Sequence, residues 1–583
     1  MTDQFVEDTP RRKPYFSVKL LGYILLVFPA LLLLYFIHAF GVNVIVGDEW
    51  AVIPLLKLAA NGRLSLPDLL AQHNETRMPF GYLVILILAR FSRYNTLTEM
   101  FFSFFLLCIS GLLLFLVFRR KYSGNLGPLA FLPVSLLLFS FGQLESILWG
   151  FTVTIYLMIF AVVAALYLLH TSRRIDLRFA LSSVCAIVAS YSMITGLMVW
   201  PAGLVEILKS ERKWRRFLVW VAAGGVTFVL YFYGWVKPDY EPPLDFVLRN
   251  PVDGGRYFLV LLGTVFTYPD TKSLAPRGFT IAYGLVISLI ALLVLIQAYR
   301  GKLLRKNSAW LFLVVFALLA CVSETLGRSG FGPGQAQASR YTPVTALGII
   351  GIYLLSLSVS GSGLGRRRRW GTRALMTLFL LGLIVSYGAW WQMGQVTRDS
   401  RGMAAYVLKT YKIQSDENII NFLIWSEPAA VRGAQYLEHN ELNVFAEPAA
   451  NTFTLVHSPN TTLFSLDYIN GFNPQQTRPI LINSDKQETI TISGWAVDKQ
   501  ANGAALAVFV TLDGKLDIPA LYGGDREDVA NAFKNPNFRY SGFVASFASS
   551  ILSKGTHTLS LKIVAADGIH FYYAQQVASL SVS

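Results

Sequence analysis

The sequence predicts a polytopic α-helical membrane domain, then an extracytoplasmic mixed segment and a β-sandwich. Three observations carry this. First, 54% of the 583 residues are hydrophobic, only 15% are charged, and mean hydropathy is +0.48. A soluble chain carries about 25% charged residues. Second, the apolar residues fall in runs of spanning length. Third, from about residue 488 these runs give way to short alternating segments separated by turn signals.

The apolar runs assign about eleven spans, near 20–40, 98–118, 126–142, 151–170, 178–192, 196–208, 217–235, 278–299, 308–326, 343–360 and 373–393. Basic clusters lie between them, at Arg11–Lys19, Arg119–Lys121, Arg173–Arg178, Lys209–Arg216, Arg300–Lys306 and Arg366–Arg373. Cytoplasmic loops hold such clusters, so one assignment, N-terminus inside and C-terminal region outside, satisfies them all. The same clustering accounts for the net charge of +15 and argues against nucleic acid as a partner. The first run exceeds a signal-peptide core, lacks a small-residue cleavage site and reads as a retained span. Residues 79–92 and 257–267 are too short to cross, and 79–92 reads as an interfacial or re-entrant helix. Cys108, Cys185 and Cys321 all sit in apolar runs, which leaves no disulfide framework and no zinc spacing.

The expected divisions are a membrane domain over 1–393 with a large outer loop at 41–97, a mixed connecting region over 394–487, and a β-sandwich over 488–583. A helix is expected at 402–412. Strands are expected at Thr489–Val497, Ala504–Leu512, Gly542–Phe547, Thr556–Ala565 and Phe571–Ser579, with Asp513-Gly514 and Asp567-Gly568 as turns.

Most of the candidate functional polar residues of the membrane half fall on the expected outer side. Asp48-Glu49 follows the first span by a few residues. One carboxylate there could act as a general base, partial burial raising its pKa toward neutrality; Asp48 as a helix N-cap is the plain alternative. The cluster His73-Asn74-Glu75-Thr76-Arg77 could orient a sugar or a phosphate group, or form an exposed turn. The Gly-rich loop Gly327–Gln335 lacks nucleotide-binding spacing and leads to Ser339-Arg340-Tyr341. Arg340 at headgroup depth suits a lipid phosphate, or an ordinary Arg–Tyr anchor. Glu324 and Arg328 have the i,i+4 spacing of an ion pair. Gln143–Ser146 and Lys237–Glu241 are weaker candidates for lining or covering the site. His557 on a strand reads as a satisfied or exposed histidine. No metal-ligand cluster has recognisable spacing.

An N-in first span, an acidic pair opening a large first outer loop, interfacial helices within it and about eleven spans resemble the GT-C superfamily of integral-membrane glycosyltransferases. That group includes protein O-mannosyltransferases and the aminoarabinose transferase that modifies lipid A. The resemblance covers about 1–393. It implies a polyprenyl-phosphate sugar donor, Asp48 as catalytic base and a supporting role for Glu49. From the residues themselves, donor contacts are expected at the polar clusters His73, Asn74, Glu75 and Arg77 and at Arg328, Arg340 and Tyr341. The resemblance also implies an inverting transferase of a bacterial inner membrane, acting on a glycan, lipid or protein acceptor outside the cytoplasm, and leaves a divalent cation open as cofactor. Gly494-Trp495-Ala496-Val497-Asp498 and Tyr522…Asp525-Arg526…Asp528-Val529 look like modules appended to bacterial glycan-related proteins. The rival readings are a transporter or flippase of lipid-linked glycans, which would want charges deep in the spans and internal repeats, and a non-catalytic anchored glycan-binding protein.

Overall fold

The computed structural model describes residues 15–122, 127–209, 213–265, 277–360, 366–424, 426–446, 456–459, 462–476, 479–482 and 488–583. Arg11, Arg12 and Lys13 lie outside the described residues, as do 210–212 of the basic cluster at Lys209–Arg216 and 266–267 of the stretch 257–267. The chain divides into two compact units.

The first unit comprises residues 1–41, 55–88 and 97–396. Eight of its described helical segments are long and apolar enough to cross a membrane: Lys19–Phe40, Thr96–Arg119, Gly127–Ile147, Gly150–Thr171, Lys213–Phe232, Gly278–Arg300, Arg305–Phe331 and Ser339–Val359. Gly150–Thr171 and Ser339–Val359 are 83% buried, so they form the middle of the bundle; Gly278–Arg300, at 22%, lies at its edge. Leu285, Leu289, Leu292 and Leu293 are exposed along that edge helix. Such a leucine face is stable against acyl chains and costly against water.

The expected spans at 178–192 and 196–208 are short. The first is a helix of 14 residues, Leu177–Ser190; the second is built from Ile194–Met198 and the nine-residue helix Val199–Ile207. At 1.5 Å per residue, 14 residues reach about 21 Å, less than the hydrocarbon thickness of about 30 Å. A Cβ on Gly196 would lie 1.9 Å from the Ala189 carbonyl oxygen, so only glycine lets the turn between these helices close. Residues 79–92 form a helix of 14 residues, Pro79–Ser92, also too short to cross unaided.

The last apolar run does not end where composition shifts. A single helix of 44 residues runs from Arg366 to Lys409. The separate helix expected at 402–412 is its final turns. No proline interrupts 366–409, and Gln395, Arg398 and Arg401 are good helix formers in water.

The second unit comprises residues 42–54, 89–96 and 397–583. Two pieces of the segment 41–97 thus belong with the C-terminal half. Asn43 ties them together: its side-chain oxygen accepts from the Thr96 N–H at 3.0 Å and from the Asn443 amide at 2.7 Å. Trp50 and Ile53 pack on Gly433 of the helix Glu427–His439.

The membrane unit also holds a hairpin of β1 (Gln72–His73) and β2 (Thr76–Arg77). The sandwich strands are β3 (Val456–His457), β4 (Leu463–Ile469), β5 (Ile480–Ile482), β6 (Thr489–Asp498), β7 (Gly503–Ala504), β8 (Ala507–Leu512), β9 (Leu516–Pro519), β10 (Leu521–Gly524), β11 (Gly542–Ala548), β12 (Gly555–Val564) and β13 (His570–Val582). One sheet runs β10-β11-β6-β4, with β7 on β6; the other runs β3-β13-β12-β8-β9, with β5 on β13. The expected strands are present, except that Ala504–Leu512 is broken: β7 pairs with β6 in one sheet and β8 with β12 in the other. The sandwich also takes in β3, β4 and β5, which lie ahead of residue 488. The inward positions Ile490, Ile492, Val508, Val510, Phe543, Phe547, Leu561 and Ile563 form the core between the sheets.

The long helix is bonded into this sandwich. The Tyr406 hydroxyl donates to the Ser546 carbonyl and accepts from its N–H, both at 3.0 Å. His557 is buried and satisfied, with Asp513 at 2.7 Å on Nδ1 and the Ser553 carbonyl at 2.7 Å on Nε2.

Candidate active site

In the membrane unit, the sequence His73–Arg77 folds as the end of β1, the turn and β2 of the hairpin. Asn74 takes the left-handed conformation, φ 51°, that asparagine tolerates in tight turns. The cluster is half-buried and not the exposed turn of the plain alternative, because the segment following the helix Lys213–Phe232 clasps it. Gln72 exchanges hydrogen bonds with the Val236 backbone, and the Trp235 indole donates to the Glu75 carbonyl at 3.0 Å. The Tyr231 hydroxyl accepts from the Arg77 N–H at 3.0 Å. The His73 ring stands beside Phe151, 5.4 Å between centroids.

The hairpin presents Glu75 to the end of the helix Ser308–Arg328. Arg328 donates to Glu75 and lies 3.4 Å from Glu324, the partner that i,i+4 spacing anticipated. Burial by itself would raise the Glu75 carboxyl, but the guanidinium outweighs it and holds the group below its usual value. Gly330 continues from this helix end. A Cβ there would lie 2.3 Å from the Pro242 Cβ, so glycine is what lets the 236–250 loop lie against it.

Arg340 opens the following span. Its guanidinium donates to Glu145 at 2.9 Å and lies 5.5 Å from the Tyr341 ring centre. Ser339 fixes Glu145 by accepting from its backbone N–H at 2.8 Å. Beside this pair is a cavity of about 290 Å³, lined by Glu145, Gln335, Gln337, Ser339, Trp390 and others. Gln335 donates to the Tyr341 hydroxyl at 2.9 Å and accepts from Tyr257. Gln143, one residue before this lining, has another role. It donates to the Leu138 and Ser140 carbonyls and closes a helix end.

The three arginines of the sequence reading therefore differ in what they already hold. Arg77 gives two donors to the Leu70 and Tyr233 carbonyls. Arg328 is matched by two carboxylates. Arg340 is matched by one, Glu145, and it is Glu145 that lines the cavity. Five N–H donors leave Arg340 capacity for a second anion, and a bidentate phosphate contact suits its planar fork.

Asp48 and Glu49 belong to the other unit. They lie in the 3-10 turn Gly47–Ala51, whose N-cap is Val46, so Asp48 is not the cap. Glu49 is fully buried and accepts from the Val46 N–H at 3.4 Å, while Asp48 is half-buried. The turn is fixed from outside by the Gly47 N–H, which donates to the Leu423 carbonyl at 2.9 Å, and by the Tyr94 hydroxyl, 3.4 Å from the Glu49 carbonyl. The sequence reading did not anticipate Glu145 as the partner of Arg340, 195 residues away. Among the described residues, no group of three His, Cys, Asp or Glu side chains could hold a metal ion.

No protein-family model matches the chain. An uncharacterized protein of Archaeoglobus fulgidus is 25% identical over 248 residues, which is 38% of this chain and 61% of that protein. The chain thus spans about three-fifths of the length of the curated relative it matches. Among solved structures, the crystal structure of ArnT from Cupriavidus metallidurans in the apo state aligns over 72% of this chain and 87% of that one, at 13% identity and a TM-score of 0.30.

Proposed function

We propose that the protein is an integral-membrane glycosyltransferase of GT-C type. It takes a sugar from a polyprenyl-phosphate carrier and transfers it to an acceptor hydroxyl outside the cytoplasm. The observation that carries this reading is Arg340, at the end of a membrane span, paired with Glu145, which lines a cavity of about 290 Å³. A guanidinium at that depth suits a lipid phosphate, with the polyprenyl chain remaining among the spans.

The basic loops support an orientation with the N-terminus inside. In it, Asp48, the hairpin and Arg340 all belong to the outer side. Asp48 is the proposed base. It removes the acceptor hydroxyl proton as that oxygen attacks the anomeric carbon, and the polyprenyl phosphate leaves with the bonding pair. Direct displacement inverts the anomeric configuration. Burial of Glu49 and the bonds from Gly47 and Tyr94 support a rigid placement of Asp48, which general-base catalysis requires. The sandwich is proposed to engage the glycan, lipid or protein acceptor, and the chain to reside in a bacterial inner membrane.

Sugar transfer from synthetic polyprenyl-phosphate sugars by the full chain in proteoliposomes tests the reading. Transfer that is lost in Arg340→Gln supports it. Movement of the lipid-linked sugar between leaflets with no transfer to any acceptor would replace it with a flippase.

A further inference from the structure

The segment 233–252 presents an apolar surface that the rest of the described fold leaves open. It follows the span Lys213–Phe232 directly and runs through the short helix Phe246–Arg249 into the helix Pro251–Gly263. Tyr233, Val236, Tyr240, Leu244, Leu248 and Val252 are all exposed, Leu248 by 80%. Surface hydrophobics normally occur singly, and a concentration of this kind marks a contact.

The depth of the segment follows from where it is tied. Its first residue succeeds Phe232, the last of one span. A Cβ on Gly330, near the end of the span Arg305–Phe331, would press on the Pro242 ring. A Cβ on Gly263 would press on the Thr280 carbonyl, in the first turn of the span Gly278–Arg300. Three span ends are thus tied to one segment, at the level where a bilayer passes from hydrocarbon to headgroups. The exposed residues Val226, Val229 and Leu230 of the preceding span lead up to Tyr233 and Val236. A lipid-facing surface therefore continues into the segment.

Charge selects the occupant. Residues 233–256 carry three basic and four acidic side chains. Arg249 pairs with Asp245 at 2.5 Å and Arg256 with Asp253 at 3.2 Å, while Lys237 donates to the Glu241 backbone carbonyl at 2.6 Å. No excess of positive charge remains to gather anionic headgroups. The aliphatic side chains suit acyl chains, and the tyrosines suit the interfacial zone. The start of the same segment holds the hairpin: Val236 binds Gln72, Trp235 donates to the Glu75 carbonyl, and the Tyr233 carbonyl accepts from Arg77 at 3.0 Å.

We propose that 233–252 is a lipid-seated strap: Tyr240, Leu244, Leu248 and Val252 enter the outer-leaflet interface by apolar contact, and residues 233–236 hold the β1–β2 hairpin. The inference rests on the outer placement of these span ends in the proposed reading, not on sugar transfer.

Electron paramagnetic resonance on the full chain in phosphatidylcholine liposomes reads the depth. A nitroxide is attached at Leu244→Cys, Leu248→Cys or Val252→Cys, with Cys108, Cys185 and Cys321 replaced by alanine. Leu289→Cys on the edge span is the lipid reference, and Lys554→Cys on the sandwich is the water reference. At the three positions, collision with a water-soluble nickel chelate is expected to fall at least about threefold below that at Lys554, and collision with oxygen to approach that at Leu289. Added salt or phosphatidylglycerol is expected to change neither. Nickel collision equal to that at Lys554 would overturn the proposal. Exclusion of both reagents would overturn it too, by showing that protein covers the surface. So would seating that requires phosphatidylglycerol, because the contact would then be electrostatic. Should the cysteine-free chain fail to fold, the wild type is irradiated in phosphatidylcholine bearing a diazirine on its acyl chain; adducts on 240–252 are expected, and their absence overturns the proposal. Lipid seating in a chain without transferase activity would refute the proposed function alone, and a water-exposed strap in an active chain would refute this inference alone.

Discussion

Arg328 donates to Glu75 across 253 residues of sequence and joins the end of a membrane helix to the two-stranded hairpin Gln72–Arg77. The pair is mostly buried, 21% and 15% exposed on the two side chains. Removing one partner leaves the other charge unmatched. Glu75→Gln or Arg328→Met is expected to destabilise the membrane unit by about 3–5 kcal/mol. The double variant is expected to recover part of that, although Glu324 then loses its guanidinium too. Thermal unfolding in detergent measures both.

Arg340 and Glu145 should separate binding from folding. Their side chains are 34% and 29% exposed, so loss of the pair itself changes stability little. Arg340→Gln is expected to raise the KM for a polyprenyl-phosphate sugar at least tenfold. Arg340→Lys is expected to recover only part of it, because an ammonium cannot contact phosphate bidentately. Initial rates against donor concentration check this.

The sandwich has its own acid limit. The buried Asp498 carboxylate accepts from the N–H groups of Gln500, Ala501 and Ala566, at 2.9, 3.0 and 2.9 Å, and from the Tyr572 hydroxyl at 2.9 Å. Burial alone would raise this carboxyl, but those donors outweigh it and hold it below its usual value. A depressed carboxyl contributes stability that is complete above its unfolded pKa and lost as pH falls through the folded one. Asp498→Asn turns an amide donor toward one of those N–H groups. It is expected to cost about 1–3 kcal/mol and to weaken the acid transition, as read by tryptophan fluorescence of the full chain.

His557 sets a limit in the other direction. Burial would lower its pKa, but the Ser553 carbonyl and Asp513 raise it above the ordinary 6.5. Its contribution is complete below the unfolded pKa and is lost as pH rises through the folded value. Wild-type melting of the sandwich is expected to drop modestly above neutrality, and His557→Gln to remove that drop.

Local signals made much of this legible in the sequence. Alternation of Ile490, Ile492 and Ala496 gave β6, and the Asp513-Gly514 and Asp567-Gly568 turns bracketed the strands around them. Glu324–Arg328 followed from helix spacing. Elements whose support is distant were not legible. β4 reads LFSLDYI and becomes a strand by pairing with β6, while β5 is three residues laid on β13. The partnership of Arg340 with Glu145 leaves no local pattern, because only the packing of distant elements brings them together. Asp48 could be singled out by its place after a span, but not the burial of Glu49 or the role of Val46 as cap.

The central claim is that Asp48 is the base of a lipid-linked sugar transfer. The most direct test is the single-turnover rate of transfer by Asp48→Asn in proteoliposomes, with donor binding and melting temperature measured on the same preparation. The account predicts a rate lowered by about 10²–10⁴-fold with donor affinity and melting temperature unchanged. A wild-type rate in that variant would contradict it.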